Sequence, residues 1–308
     1  MDIIVSGSLA YDRIMDFPGY FADHILPEKI HVLNVSFTVN GLVEKFGGTA
    51  GNIAYALTLL GEKPRVVAAV GKDYQPYFDW LTENGVACDH ITVVNETLTA
   101  CAYITTDMSD NQITGFNAGA MKYPSSFDFS KLSPQETLAI IAPGNLQDMQ
   151  NYAGVCRECG IGYIFDPGQS LPMWTERSLI RCLEGSRLLI SNDYELEMIT
   201  AKTGLGKKRL LELTGTVITT LGELGSCVCA DGCEVRIPAV KPCEVVDPTG
   251  AGDAYRGGLI KGLALGKDIE ESARMGSACA SFAVECYGTQ CYRFTPEEFE
   301  ARVAVCST

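Results

Sequence analysis

The chain has 308 residues, 46% of them hydrophobic, with 38 acidic against 24 basic side chains and a net charge of −14. This composition excludes a disordered chain. The acidity, with no basic run beyond Lys207-Lys208-Arg209, also excludes nucleic acid as the main partner.

The first residues, Met1-Asp2-Ile3-Ile4-Val5, include an acid and no basic stretch, so they read as a strand and not as a signal peptide. No apolar run approaches the length of a membrane span, and the expectation is a soluble, cytoplasmic protein with no membrane partner. Residues 30–46 read as extended, with Val32, Val35, Phe37 and Val39 among polar neighbours. From Thr49 the pattern alternates. Thr49–Leu60 is predicted helical and stops at Gly61, Val66–Val70 is a buried strand, and Tyr74–Asn84 is a helix ended by Gly85.

Residues 99–117 read as two strands joined at Ser109-Asp110-Asn111. Together with 30–46 they form either a small separate sheet able to close over a substrate or an edge hairpin of the main sheet. The alternation resumes with a strand at Leu138–Ala142, a helix near 145–159, and strands at Tyr163–Phe165 and Leu188–Ile190. Helices near 193–203 and 206–213 lead to a strand at Val217–Thr220, with the basic triplet read as a solvated stretch between the two helices. A hairpin around Asp231-Gly232, then Val245-Val246 and helices over Gly250–Leu265 and Asp268–Glu285, complete the chain. Such repetition predicts an α/β fold, with a mainly parallel sheet covered by helices on both faces.

Thirteen cysteines and three histidines are present. Cys101, Cys227 and Cys279 sit in apolar stretches, and Cys156–Cys159 is a C-x-x-C pair without a second. Reduced thiols and no structural zinc are expected.

The chemistry concentrates in Asp247-Pro248-Thr249-Gly250-Ala251-Gly252-Asp253-Ala254-Tyr255. Gly250, Ala251 and Gly252 let the backbone turn sharply into a helix, whose free N–H groups form an anion pocket. Asp253, in the first turn, is placed to take a proton from a hydroxyl while those amides stabilise charge on a transferring phosphoryl group. Gly47-Gly48-Thr49-Ala50-Gly51-Asn52 opens another helix. Its glycines allow close approach of a polyol, and the Asn52 amide both donates and accepts. No Gly-x-x-x-x-Gly-Lys-Ser/Thr occurs, so a P-loop is unsupported. Tyr255 stands where a dinucleotide fingerprint wants Gly or Ala.

These two segments, in this order, resemble the two signatures of the ribokinase-like (PfkB) carbohydrate kinase family, and the resemblance spans essentially the whole chain. It implies a single ribokinase-like domain over 1–308 of three-layer α/β architecture, with a β lid from segments around 10–46 and 97–118. The implied activity is ATP-dependent phosphorylation of a primary hydroxyl, with Asp253 as catalytic base. A non-catalytic sugar- or nucleotide-binding protein is the other class. Residue by residue, Asp12 matches the acid that binds two sugar hydroxyls. Asn192 and Glu195 match an element that organises water around Mg²⁺ and phosphate, although alone they read as a helix N-cap and a first-turn acid. Thr220, Gly222 and Gly225 match a loop along the nucleotide. The resemblance also implies a K⁺ site using Asp247 and Thr249, with the loop near Gly288.

Within the family the chain resembles the adenosine kinases. That places Ser8, Asp12, Gly48 and Asn52 on the ribose, Phe116 (in the segment Asp110–Phe116) against the adenine, and Gln169 in the same pocket. Ribose or another sugar is the alternative acceptor, and a monomer or a homodimer is expected.

Overall fold

The computed structural model describes residues 1–25, 31–32, 34–109 and 111–306. The strands are β1 (Asp2–Ser6), β2 (Ala10–Asp16), β3 (Asn40–Gly47), β4 (Arg65–Gly71), β5 (Ile91–Val94), β6 (Ala100–Thr106) and β7 (Gln112–Asn117). They continue with β8 (Thr137–Ile141), β9 (Gly162–Phe165), β10 (Leu188–Asn192), β11 (Thr216–Thr220), β12 (Ser226–Ala230) and β13 (Cys233–Ile237). The helices are α1 (Thr49–Leu59), α2 (Gln75–Glu83), α3 (Leu146–Cys159), α4 (Glu176–Leu183), α5 (Asp193–Thr203), α6 (Lys207–Thr214), α7 (Ala251–Ala264), α8 (Ile269–Ala283) and α9 (Pro296–Val305).

Nine strands form one sheet in the order β13-β12-β11-β10-β9-β8-β1-β4-β5, parallel except where β12 and β13 join. The alternating direction of strand side chains divides the core in two. Ile3 and Val5 of β1, with Leu138 and Ile140 of β8, face a core shared with α1, α7 and α8. Ile4, Ala139 and Ile141 face the other core, with residues of α3 to α6. Both faces of the sheet are therefore dry, which is why its parallel strands read as continuous apolar runs. On α7, a Cβ at Gly258 or Gly262 would run into Met275 or Ser272 of α8, so the glycines set the close approach of these helices.

Sheet order reverses between β1 and β8, and the loops leaving their carboxyl ends touch, Ser8 N donating to Pro143 O at 3.0 Å, while Thr49 Oγ1 at the start of α1 donates to the same carbonyl at 2.7 Å. In open α/β sheets ligands bind at such a switch point.

The remaining strands make a separate four-stranded sheet, β3-β2-β6-β7. The 99–117 strands thus belong to a lid sheet and not to the edge of the main one. The extended reading of 30–46 needs correction. Residues 30 and 33 lie outside the described residues, and strand pairing begins only at Asn40. Val35, Phe37 and Val39 do turn inward between exposed neighbours, but Phe37 is held by the rings of Phe17 and Phe21 and not by a ladder. Asp110 lies outside the described residues.

Lys207-Lys208-Arg209 opens α6 instead of lying between helices, with Lys207 paired to Glu234 and Arg209 to Glu212. A disulfide joins Cys286 and Cys291, where reduced thiols were expected throughout. Among the described residues no helix is long and apolar enough to cross a membrane.

Candidate active site

The carboxyl ends of the parallel strands deliver their next residues to one place. Pro143 after β8, Asp166, Gly168 and Gln169 after β9, Asn192 ending β10 and Thr220 ending β11 line a polar cavity of about 200 Å³. Its opposite wall is the start of α7, with Gly250, Gly252, Asp253 and Arg256, and Thr49 closes one side. A larger, mostly apolar cavity of about 380 Å³ lies beyond, between Gly222, Gly225, Val240, Val245 and the α8 residue Ala280, with Val284 just after that helix. Thr220 and Gly252 border both cavities.

The α7 start is built for an anion. Gly250 caps the helix at φ +79°, and a Cβ there would also meet Thr289, so both conformation and space call for glycine. Ala251 N–H donates to Pro248 O and Ala254 N–H to Gly250 O, which leaves the amides of Gly252 and Asp253 without a backbone acceptor. Asp253 Oδ2 accepts from Asn52 Nδ2 at 2.8 Å. Burial raises the Asp253 carboxyl to about 6; Arg256 and the Asn52 bond pull it down, and Asp166 and Glu195 push it up. A carboxylate with that value is charged at neutral pH and still basic enough to take a proton.

Arg256 and Asp166 were not singled out in the sequence. Arg256 Nε and Nη2 clasp both oxygens of Asp166, the latter at 2.9 Å, and Nη1 donates to Gly252 O at 2.9 Å. Both side chains are more than nine-tenths buried. Of five guanidinium N–H bonds, three are used in these contacts and two remain. A readable signal existed: Arg256 is three residues from Asp253 on a predicted helix, hence on its face.

Asn192 and Glu195 make a reciprocal capping box, Asn192 Oδ1 accepting from Glu195 N at 2.7 Å and Glu195 Oε2 from Asn192 N at 2.8 Å. One Glu195 oxygen, Oε1, is left for the cavity. With Thr220 the available donors are all oxygens, which fits a hard, hydrated cation such as Mg²⁺ held through water. Asp247 ties together the two segments expected around K⁺, since Oδ1 accepts from Thr249 N at 2.9 Å and Oδ2 from Gly288 N at 3.0 Å.

The acceptor side is less tightly gathered. Ser8 is buried and its hydroxyl accepts from Thr49 N at 3.1 Å, so it shapes the loop. Gly48 has φ +89°, and its missing Cβ leaves room for Ser8 O and Leu9. Asp12, on β2, packs against Gly47, and burial followed by Asp247 lifts its carboxyl to about 6. Phe116, on β7, is 56% exposed and lines neither cavity.

This geometry agrees with comparisons across known proteins. Residues 11–293 match the model of the pfkB family of carbohydrate kinases. A nucleoside kinase of Methanothermobacter thermautotrophicus is 31% identical over 293 residues, which is 94% of this chain and 91% of that protein. The structure of a Burkholderia thailandensis nucleoside kinase in complex with inosine superposes with a TM-score of 0.87 at 37% identity, covering 98% of this chain and 97% of that one. A Methanocaldococcus jannaschii nucleoside kinase, described as an archaeal member of the ribokinase family, gives a TM-score of 0.88 at 28% identity over 99% of both chains. The chain belongs to the pfkB family, and it is a kinase that phosphorylates an alcohol group.

Proposed function

We propose that this pfkB-family chain transfers the γ-phosphate of ATP to the 5′-hydroxyl of a purine nucleoside, adenosine being the acceptor its motifs favour. The observation that carries the reading is the pair of cavities meeting at Gly252. The apolar one is shaped for a nucleotide's base and sugar, and the polar one holds Asp253. The nucleoside kinases among its relatives support a nucleoside over a bare sugar.

In this mechanism Asp253 Oδ1, the oxygen not bonded to Asn52, accepts the proton of the attacking hydroxyl. The amides of Gly252 and Asp253 meet the charge that develops on the phosphoryl oxygens. The two remaining N–H bonds of Arg256 add a fixed positive charge, held in place by Asp166. Because the chain carries −14 overall, this local arrangement must overcome a repulsive background. Asn192 and Glu195 would hold Mg²⁺ through water, and the ion would neutralise phosphate charge. Asp12 and the free N–H of Asn52 bind the ribose hydroxyls, and Phe116 stacks on the base when the lid sheet closes. Asp247 and Thr249 would hold K⁺, and the ion would order the loop near Gly288.

One observation favours a second reading. Phe116 stands outside both cavities, and a polar space of about 200 Å³ also suits ribose alone. ATP consumption measured with adenosine, inosine, ribose and fructose decides between them. The nucleoside reading expects kcat/KM for adenosine or inosine to exceed that for either sugar, with a 5′-monophosphate as product. A preference for ribose overturns it, as does turnover with none of the four, which would point this kinase to a different acceptor.

A further inference from the structure

Behind the base runs a chain of hydrogen bonds whose direction is set at its far end. Trp80 Nε1 on α2 donates to Gln290 Oε1 at 2.9 Å. Gln290 Nε2 donates to Asn52 Oδ1 at 3.0 Å, and Asn52 Nδ2 donates to Asp253 Oδ2 at 2.8 Å. An indole nitrogen can only donate, so it claims the oxygen of Gln290 and turns the amide nitrogen toward Asn52. An amide nitrogen also only donates, so it claims the oxygen of Asn52 and leaves the Asn52 nitrogen for the carboxylate. Each link fixes the orientation of the next, and bonds aligned in one direction polarise one another.

The surroundings reinforce this order. Gln290 is 5% exposed, and its nitrogen also donates to Tyr77 Oη at 2.9 Å, while Tyr77 gives its own proton to Gly47 O at 2.6 Å. A Cβ at position 51 would run into Tyr77 Oη and Gln290 Nε2, so the Gly51 of Gly51-Asn52 makes room for the relay. The segment bearing Gln290 is anchored on each side. Gly288 N donates to Asp247, Thr289 Oγ1 donates to Phe46 O at 2.9 Å, and the Cys286–Cys291 disulfide closes the loop.

We infer that Gln290 is a positioning residue, which holds the Asn52 amide in the one orientation that presents N–H, and not C=O, to the catalytic carboxylate. The inference rests on Asp253 being the base. Without Gln290 the Asn52 amide could turn, and its oxygen would then face a carboxylate that only the protonated acid could satisfy. Other groups that bear on Asp253 are Arg256 on the same helix, Asp166 after β9, Glu195 on α5, Tyr77 on α2 and Tyr292 in the C-terminal segment. Of these, Tyr77 touches Gln290 directly, accepting from its Nε2 at 2.9 Å, while its own proton goes to Gly47 O.

The test is the acid limb of kcat at saturating acceptor and ATP, for wild type, Gln290→Glu and Gln290→Met. Reading kcat keeps the titration of Asp12, which acts on acceptor binding, out of the result. Gln290→Glu keeps the shape and the bond from Trp80 but offers Asn52 an acceptor, so the amide inverts. Its limb should move up by about one to two pH units or more, since loss of a charge-assisted hydrogen bond and repulsion by the new carboxylate act in the same direction, and the uncharged Met variant isolates the effect of orientation. Gln290→Met neither donates nor accepts, so its limb should rise by roughly half a unit, and KM for the acceptor should rise with it as the second N–H of Asn52 turns away from the ribose. If Gln290→Glu does not fold, the Met variant carries the test alone. A wild-type limb in the folded variants, whatever happens to their rate, overturns the inference and leaves a packing role. Asp253→Asn run alongside separates the two levels: if it keeps near-normal kcat, the base itself is misassigned.

Discussion

The floor of the site and the sheet above it are built in opposite ways. On the floor, Asp253 is held by Asn52, which is held by Gln290, while Arg256 is clasped by a buried Asp166 and by the Gly252 carbonyl. In the lid sheet every residue of β7 is exposed, and so are Leu42 and Val43 of β3 and Tyr103 of β6. A reaction centre has to hold its groups to a fraction of an ångström before substrate arrives, and buried hydrogen bonds do that. A surface that grips a substrate needs free apolar area, which such a sheet keeps in reserve. Under the proposed function, this division gives chemistry to the floor and acceptor choice to the lid.

The largest effect should come from the floor. Asp253→Asn should lower kcat by about 10²–10⁴-fold with little change in acceptor KM, as measured by steady-state kinetics. The same variant should be more stable. Burial holds the Asp253 carboxyl at about 6, above its unfolded value, so the wild type loses stability as pH rises through that range. The neutral amide avoids the loss, worth roughly 3 kcal/mol for a shift of this size. Thermal unfolding should therefore show the variant ahead at pH 8 and level with wild type near pH 4. A variant less stable at pH 8 would deny that the floor holds its base at a cost to the fold.

Arg256→Met should come next. It strands the buried Asp166 carboxylate, and removing one partner of such a pair destabilises by about 3–5 kcal/mol. Adding Asp166→Leu removes the stranded charge, so the double variant should regain most of the stability and none of the lost activity. Recovery of activity together with stability would show Arg256 to be a structural cation only.

The sequence disclosed these two regions unequally. The floor was legible because its glycines and acids fall on consecutive residues, and Gly250 to Asp253 and Gly48 to Asn52 announce helix starts without any three-dimensional knowledge. Gln290 was not, because its meaning lies in contacts with residues more than two hundred positions away, and a single Gln before Cys291 carries no local pattern. Arg256 stayed hidden because an arginine on a helix ordinarily marks a wet face; what makes it special is Asp166, contributed by a different strand end. In the lid, the pairing of 99–117 with β2 could not be chosen over a main-sheet edge, since period-two patterns say which face is buried but not which strand is the neighbour. The late start of β3 had the same origin: Val35 and Phe37 alternate inward, yet for Phe37 aromatic packing and not a strand partner satisfies the ring.

The comparison of floor with lid is tested most directly by Phe116→Ala, assayed beside wild type on adenosine and on ribose. Base–aromatic stacking in nucleic-acid complexes is worth about 1–3 kcal/mol, so KM for adenosine should rise by about fivefold to more than a hundredfold. Kinetic constants for ATP should stay nearly as they were, and the small rate on ribose should not change, because a bare sugar never used the ring. A wild type that prefers ribose, or a Phe116→Ala variant whose KM for adenosine is unaltered, would contradict the assignment of acceptor choice to the lid.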